Sequence, residues 1–396
     1  MMPGRPSPAS LADQKSAAAT GPVLRVLHVS GGNLYGGVET ALVALARFRS
    51  LCPSMAPQFA LCFPGRLSQE LGETGVTVHE LGQVRTRMPW TIWAARRRLR
   101  ELLRAERFDA VICHAAWPMA IFGRTARDSG VKLAFWAHGA VDGRHWLERW
   151  AGRVSPNVVI GNSQYTLGTV PALFPNIPRA MVRYPVPLEQ PGNVAETRTQ
   201  VRRELGVSPD TVVIIQVSRM EAWKGHELQL AGLARLKDDP RWVCWMAGGA
   251  QRPKEQAYMK GLEGAARDLG IGERVRFLGQ RSDVGRLLSA ADIFSQPNKE
   301  PEPFGIVFIE ALSAGLPVVT TAMGGPQEIV DDSCGMVVPP GDAGRLADSL
   351  GRLIDSRQLR LRLGGNGPAR ARELCDPAQR IAELCAELGR VIRNDG

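Results

Sequence analysis

Two carboxylates and two cations are spaced as chemistry on a phosphorylated ligand would require. The carboxylates lie in EPEPFGIVFIEALSAGLPVVT (300–320), where Glu302 and Glu310 are separated by seven residues. Pro303 and Gly305 keep Glu302 in a loop. From Ile306 to Ala314 apolar residues recur at helical spacing, until Gly315-Leu316-Pro317 stops the run. Gly305, Ile306 and Val307 would then form a first helical turn whose N–H groups have no intrahelical acceptor, a site for phosphate oxygens. Glu310, one turn in, can accept hydrogen bonds from a ribose diol, and Glu302 can meet sugar hydroxyls. A helix with an acidic first turn explains one of these glutamates but not the arrangement. The cations lie in SRMEAWKG (218–225), with Arg219 and Lys224 between a strand end and the next helix. A guanidinium can bind two oxygens while an ammonium adds a point charge, which suits a diphosphate; a solvated surface pair fits the spacing equally well.

A third candidate is SGGNLYGGVE (30–39), whose glycines Gly31, Gly32, Gly36 and Gly37 follow a strand and open a helix. Its backbone N–H groups can face an anion, or the glycines can serve a tight turn alone. They are not spaced as GxGxxG, and FALCF (59–63) lacks the acidic residue that would hold an adenosine ribose. The sequence GxxxxGK[ST] does not occur. His138, in WAHGAV, ends another strand; His114 ends the preceding one and competes for a place in the same cleft, while His28 reads as core. Asn162 and Ser163 end a further strand.

The elements that must position these residues alternate in type. Apolar runs at 23–30, 59–63, 76–81, 109–114, 132–138 and 158–163 read as strands, separated by stretches able to form helices. Residues 181–197 carry three prolines and a glycine without periodicity and read as a linker. Strands then restart at 211–218, 242–248, 274–279, 292–296 and 317–321. The predicted fold is α/β: two Rossmann-like, doubly wound parallel-sheet domains facing across a cleft, where such sheets bind ligands. The expected divisions are a disordered tail (1–21), an acceptor-side domain (22–185), a linker (186–198) and a nucleotide-sugar-binding domain (199–375). The segment 376–396 is predicted to form a terminal helix that packs back on the first domain, with Ile381, Leu384, Cys385, Leu388 and Val391 on one face.

Glu302 through Val319 resemble the E-P-F-G-x4-E-A-x-A-x-G-x-P-V-V motif of the retaining, nucleotide-sugar-dependent glycosyltransferases of family 4, which have the GT-B fold. Arg219 and Lys224 stand at that family's R-x4-K spacing. Gly36, Gly37 and Glu39 are similar to its GG-x-E segment, and GGPQEIV (324–330) to its GG-x-x-E-x-V loop. The resemblance covers about residue 22 to 375. It implies transfer of a sugar from a nucleoside diphosphate to an acceptor hydroxyl with retained anomeric configuration, and neither cofactor nor essential metal. By the same resemblance Arg219 and Lys224 hold the diphosphate, Glu310 holds the ribose and Glu302 meets the donor sugar. It also implies that Gly36, Gly37, Phe304, Gly305 and Ile306 line the donor site, and that His138 stands near the sugar. The same fold also serves epimerases and phosphorylase-like enzymes, and a catalytically silent basic partner would share it.

Composition sets the outer bounds. The chain has 396 residues, 44% hydrophobic and 22% charged, too many for one core and unlike a disordered chain. No run approaches the ~18 apolar residues of a spanning helix. Seven cysteines without CxxC spacing suit reduced thiols in the cytoplasm. A net charge of +10, from 49 basic and 39 acidic residues, suggests an anionic partner. Basic residues are dispersed and no nucleic-acid motif occurs, so nucleic acid is not expected. Eight arginines between Arg85 and Arg107 flank an apolar stripe of Ile92, Ala95, Leu99, Leu102 and Leu103. Such a helix can lie on the anionic inner face of a membrane, which would suit a glycan or lipid-linked acceptor, or it can simply cover a sheet. Trp117, Trp136, Trp146 and Trp150 are candidates for stacking on an acceptor sugar.

Overall fold

The computed structural model describes residues 22–33, 35–188, 192–250 and 252–393; the expected tail at 1–21 lies outside them. Two all-parallel sheets form the frame. The first comprises β1 (Leu24–Ser30), β2 (Met55–Leu61), β3 (Val78–Glu80), β4 (Ala110–His114), β5 (Lys132–Ala137), β6 (Val158–Gly161) and β7 (Arg179–Met181), in the order β3-β2-β1-β4-β5-β6-β7. The second comprises β8 (Val212–Val217), β9 (Trp242–Ala247), β10 (Val275–Gly279), β11 (Ile293–Gln296), β12 (Val318–Thr321) and β13 (Gly335–Val338), in the order β10-β9-β8-β11-β12-β13. Strands covered by helices on both faces must be apolar throughout, and β4, β6, β11 and β12 are buried at every position.

Each sheet reverses its winding between its first and fourth strands, so chain connections leave in opposite directions at β1/β4 and at β8/β11. That splits the carboxyl edge into a crevice, the place where doubly wound sheets present ligand-binding loops. The loops at 30–37, 218–225 and 297–305 open there.

Two strands escape the sequence reading. β7 has three residues and pairs only with β6, and β13 has four and pairs only with β12; both are short edge strands, and the apolar run of β13 is only Met336-Val337-Val338. β2 begins earlier than its apolar stretch and admits Pro57, which pairs with Val26 before β3 starts opposite Phe59. A missing N–H is tolerated where the strand is still an edge. Inside the aperiodic stretch 181–197, a helix already begins at Val194, capped by the Asn193 side chain.

The helix Pro377–Arg393 returns to the first sheet's side of the molecule. Ile381, Leu384 and Leu388 are buried there, and Cys385 Sγ stands 3.5 Å from Ser54 Oγ. Apolar packing is continuous between the two sheets, and a backbone hydrogen bond from Val186 N to Cys375 O (3.2 Å) ties the crossing segment down.

Candidate active site

The cleft between the sheets is a cavity of about 640 Å³ walled by both domains. On the second-domain side, the chain leaves β8 at Ser218 and turns through Arg219 to Lys224. Gly225 then adopts φ +76°, and a Cβ there would collide with the Pro297 carbonyl oxygen. Only glycine lets the two loops approach so closely. Lys224 Nζ forms an ion pair with Glu302, lies 3.9 Å over the Trp223 ring, and is largely shielded from solvent. Gln296 Nε2 approaches the same Glu302 carboxylate at 3.5 Å. Arg219 is more open: its Nη2 pairs with Glu221 at 3.0 Å and its remaining donors are free for a ligand among the described residues.

The helix Ile306–Ser313 starts at Gly305, which has φ +92° and no side-chain cap. Phe308 N–H bonds back to the Gly305 carbonyl at 3.0 Å, while Ile306 and Val307, whose N–H groups have no intrahelical acceptor, border the cleft. Glu310, one turn along, lines the same cavity, and burial pushes its carboxyl up to about 7. From the opposite wall Gly36 and Gly37 approach; a Cβ on Gly37 would stand 3.7 Å from Ile306 Cδ1. The helix Gly37–Arg47 starts at the second of these glycines, and the carboxylate of its third residue, Glu39, accepts the Gly36 N–H at 2.9 Å.

The ten residues expected to meet the donor, Gly36, Gly37, His138, Arg219, Lys224, Glu302, Phe304, Gly305, Ile306 and Glu310, line this one cavity. Three of them are arranged otherwise than their separate reading suggests. Lys224 and Glu302, read as ligands for different parts of one molecule, neutralise each other. His138 offers no free ring nitrogen: Nε2 meets His114 at 2.8 Å and Nδ1 meets the Tyr184 hydroxyl at 2.6 Å. His114 is buried behind it and does not compete for the cleft.

Four further residues have roles in the structure that the sequence does not assign: Tyr184 is not singled out by it, and Asn162, Ser163 and the loop of Glu328 stand out without a function. Tyr184 lies in the aperiodic YPVP stretch, yet its ring meets Phe304 edge-on at 5.3 Å between centroids. Asn162 donates to the Tyr184 hydroxyl at 2.8 Å, and Ser163 donates across the cleft to the Pro303 carbonyl at 2.6 Å. Glu328, in the GGPQEIV loop, accepts the backbone N–H groups of Gln164 and Tyr165 at 3.1 and 3.0 Å, joining the second domain to the start of a first-domain helix. The GG-x-x-E-x-V match marked that loop but not its cross-domain use.

The aromatic candidates fare differently. Trp136 is buried beneath the cleft, and Trp117, Trp146 and Trp150 do not border it; the tryptophan that does is Trp223. A separate, wider concavity of about 820 Å³ beside Glu263–Phe277 gathers no comparable set of groups.

Comparison with known proteins places the chain. The family model for glycosyl transferases group 1 matches residues 197–370, and that for a glycosyl transferase 4-like domain matches residues 23–164. A D-inositol 3-phosphate glycosyltransferase of Corynebacterium glutamicum is 33% identical over 193 residues, which cover 47% of this chain and 45% of that protein. The match therefore spans about half the length of that relative. A GDP-mannose-dependent monoacylated alpha-(1-6)-phosphatidylinositol monomannoside mannosyltransferase of the same species is 29% identical over 293 residues, 68% of this chain and 73% of that protein. Among solved structures, Anabaena Alr3699/HepE in complex with UDP superposes with a TM-score of 0.80 at 22% identity, over 93% of this chain and 100% of that one. At that identity the likeness is one of fold, and the fold is GT-B.

Proposed function

We propose that this chain, which belongs to the group 1 glycosyl transferases, moves a sugar from a nucleoside diphosphate to an acceptor hydroxyl in the synthesis of a glycan or a lipid-linked glycan. The observation that carries this reading is the convergence of Arg219, Lys224, Glu310 and the uncapped N-terminus of Ile306–Ser313 on one cavity. The acceptor oxygen bonds to the anomeric carbon on the face the diphosphate leaves, the bond to the diphosphate breaks, and the hydroxyl proton passes to the departing diphosphate oxygen. Negative charge grows on that diphosphate, and the guanidinium and helix N–H groups, with the Lys224 ammonium already drawn to the bound donor, stabilise it. Lys224 and Glu302 divide their labour once the donor enters. The ammonium turns to the diphosphate, and the carboxylate it releases accepts hydroxyls of the transferred sugar. Glu310 accepts the ribose diol.

The anomeric configuration is retained, as the resemblance of Glu302–Val319 to the retaining transferases implies. Proton couplings at the anomeric carbon of the product read this directly, and an inverted product would refute it. The crystallised GT-B relative with UDP and the GDP-mannose-dependent relative both support a nucleoside diphosphate as the carrier. The first test is a thermal-shift panel of UDP, GDP, ADP and CMP and their sugar conjugates, with EDTA present. A ligand at 100 times its Kd stabilises a fold by about 2.7 kcal/mol. A shift with one base names the donor; no shift with any, in folded protein, removes the proposed donor site.

The first domain supplies an acceptor side and a surface toward membrane. In the helix Pro89–Ala105, Ala95, Leu99 and Leu103 are buried against the sheet, so the apolar stripe covers the fold. Its outer side presents Trp90 and Trp93, 64% and 63% exposed, among exposed arginines. Amphipathic rings beside guanidinium groups suit the interfacial zone of an anionic leaflet. No helix among the described residues is long and apolar enough to cross a membrane. Co-sedimentation with anionic vesicles is expected at low salt and lost at high salt; no sedimentation at low salt would end the membrane reading.

A further inference from the structure

Three histidines, a tyrosine and an asparagine form one unbroken hydrogen-bonded chain beneath the cleft. His28 Nδ1 meets His114 Nε2 at 2.9 Å, His114 Nδ1 meets His138 Nε2 at 2.8 Å, and His138 Nδ1 meets the Tyr184 hydroxyl at 2.6 Å. Asn162 Nδ2 donates to that hydroxyl at 2.8 Å. The inner end, His28 Nε2, is buried without a partner among the described residues. The rings lie nearly parallel, with 5.2 and 5.0 Å between successive histidine centroids, closed in by Phe59 and Trp136. The transfer reaction described above uses none of His28, His114 or Tyr184.

Burial keeps every ring neutral: it lowers His28 and His138 to about 3 and His114 well below its ordinary value. A neutral chain has two proton orders. In the inward order Tyr184 donates to His138, each ring donates from Nε2, and His28 is left with an N–H aimed at no acceptor. In the outward order each ring donates from Nδ1, His138 donates to Tyr184, and His28 keeps a bare nitrogen. Orphaned buried N–H donors are the rarer and costlier outcome, so the outward order is favoured. The Asn162 amide cannot be turned to undo this. Its Nδ2 also stands 3.4 Å from the His138 carbonyl oxygen, which an amide oxygen in its place would repel.

In the outward order the Tyr184 oxygen receives two N–H donors, one from His138 and one from Asn162. Both lone pairs are filled, and its own O–H has no acceptor within the protein among the described residues. Tyr184 lines the cleft beside Phe304, with Glu39 and Glu302 close enough to help raise its phenol above the ordinary value, an effect that begins with burial. We infer that the outward proton order of His28, His114 and His138 makes Tyr184 a hydrogen-bond donor to an oxygen of the transferred sugar. The sugar is the target because Tyr184 stands with the Glu302–Phe304 segment, which meets the sugar in the function proposed above; the inference rests on that reading. His28 and His114 are positioning residues that act through His138. They do not shuttle a proton, since one delivered to His28 would strand a charge in the core.

Two measurements test this. Nitrogen-15 NMR of the ligand-free protein, labelled at histidine, reads each ring's tautomer. Neutral Nδ1–H tautomers are expected at His28, His114 and His138, the reverse of the form common in free histidine, and unchanged from pH 6 to 8. Nε2–H tautomers along the chain, or an imidazolium at neutral pH, would overturn the proton order whatever the enzyme does. The Tyr184→Phe variant keeps the ring packing and removes the donor. With wild-type protein as the reference, its affinity for the sugar nucleotide should fall roughly two- to tenfold, while its affinity for the bare nucleoside diphosphate stays the same. Equal loss for both ligands, or loss for neither, overturns the sugar contact. If wild-type protein binds neither ligand, the proposed function fails and takes the contact with it, but leaves the NMR result standing.

Discussion

Arg219 and Lys224 carry the same charge into the same cleft, yet their surroundings set different consequences for removing them. Arg219 is partly open and pairs with the neighbouring Glu221, so Arg219→Ala should leave stability nearly intact. It should lower kcat by about 10²–10³, the size seen when one transition-state donor is removed; unchanged turnover would refute the assignment. Lys224 is different because its partner is buried with it. Lys224→Ala leaves the Glu302 carboxylate with only Gln296 at 3.5 Å, and stranding a buried charge costs about 3 kcal/mol or more. That variant should lose activity and also unfold at a visibly lower denaturant concentration, whereas Lys224→Ala with Glu302→Gln should regain most of the stability and none of the activity. Glu310 gives the pH dependence. Its carboxyl is raised from 4.5 to about 7 by burial. The folded protein then binds a proton that the unfolded chain releases between those values, so the free protein loses stability as pH rises from 4.5 through 7. A ribose diol that donates to the carboxylate favours the ionised form. Donor binding should therefore release a proton below pH 7 and weaken toward tenfold per pH unit, and calorimetry in buffers of different ionisation enthalpy would detect the proton. Affinity independent of pH from 5.5 to 7.5, with no proton released, would show that Glu310 does not meet the ribose as a carboxylate.

At the scale of elements, the loops are held in place by backbone approach more than by side-chain bonds. Gly225 combines a left-handed backbone with contact against the Pro297 carbonyl, so Gly225→Ala must both strain the turn and push apart the loops that carry Lys224 and Glu302. The conformational part alone costs about 1–3 kcal/mol. Expected together are a lower unfolding midpoint and a loss of nucleotide affinity larger than a stability change explains; a variant as stable as the parent would show that the loop can relax. The same physics decides what the sequence reveals. Apolar runs such as Val212–Val217 announce central strands because both faces are covered, and the uncapped helix at Gly305 is legible from Pro303, Gly305 and the Gly315 stop. Short edge strands are not: β7 needs only three residues, since one neighbour and one covered face suffice. The ten cleft residues could be named because each sits beside a turn signal or in a motif. Tyr184 could not, because its place depends on contacts to Asn162, His138 and Phe304, all at least 22 positions away in the chain. Nor did spacing show that His114 lies behind His138, which requires knowing that β4 and β5 are neighbours in parallel register.

For the whole molecule the question is what holds the two sheets at a working distance. The domains meet at the cleft floor through few polar contacts. Ser163 donates to Pro303, and Glu328 accepts from Gln164 and Tyr165 while standing 3.6 Å from Arg183. The Glu328 contacts are charge-assisted, each worth about 1.5–3 kcal/mol, and they bridge elements that no covalent turn fixes. Gly37 faces Ile306 across the cleft at the distance of a single methyl contact. Opening of the domains would therefore separate the glycine wall from the helix N-terminus and divide the donor site in two. Glu328→Ala removes the bridge without touching any group that meets the donor. It should shift the solution ensemble toward open forms, enlarging the radius of gyration measured by X-ray scattering, and raise KM for the donor. Thermal unfolding of each domain should be little changed, because neither core is altered. Glu328→Gln retains one acceptor oxygen and should recover part of the closure. A scattering profile identical to the parent's, with KM unchanged, would mean that apolar packing between the sheets sets the closure by itself. The Glu328 bridge would then be a consequence of the closed form and not one of its causes.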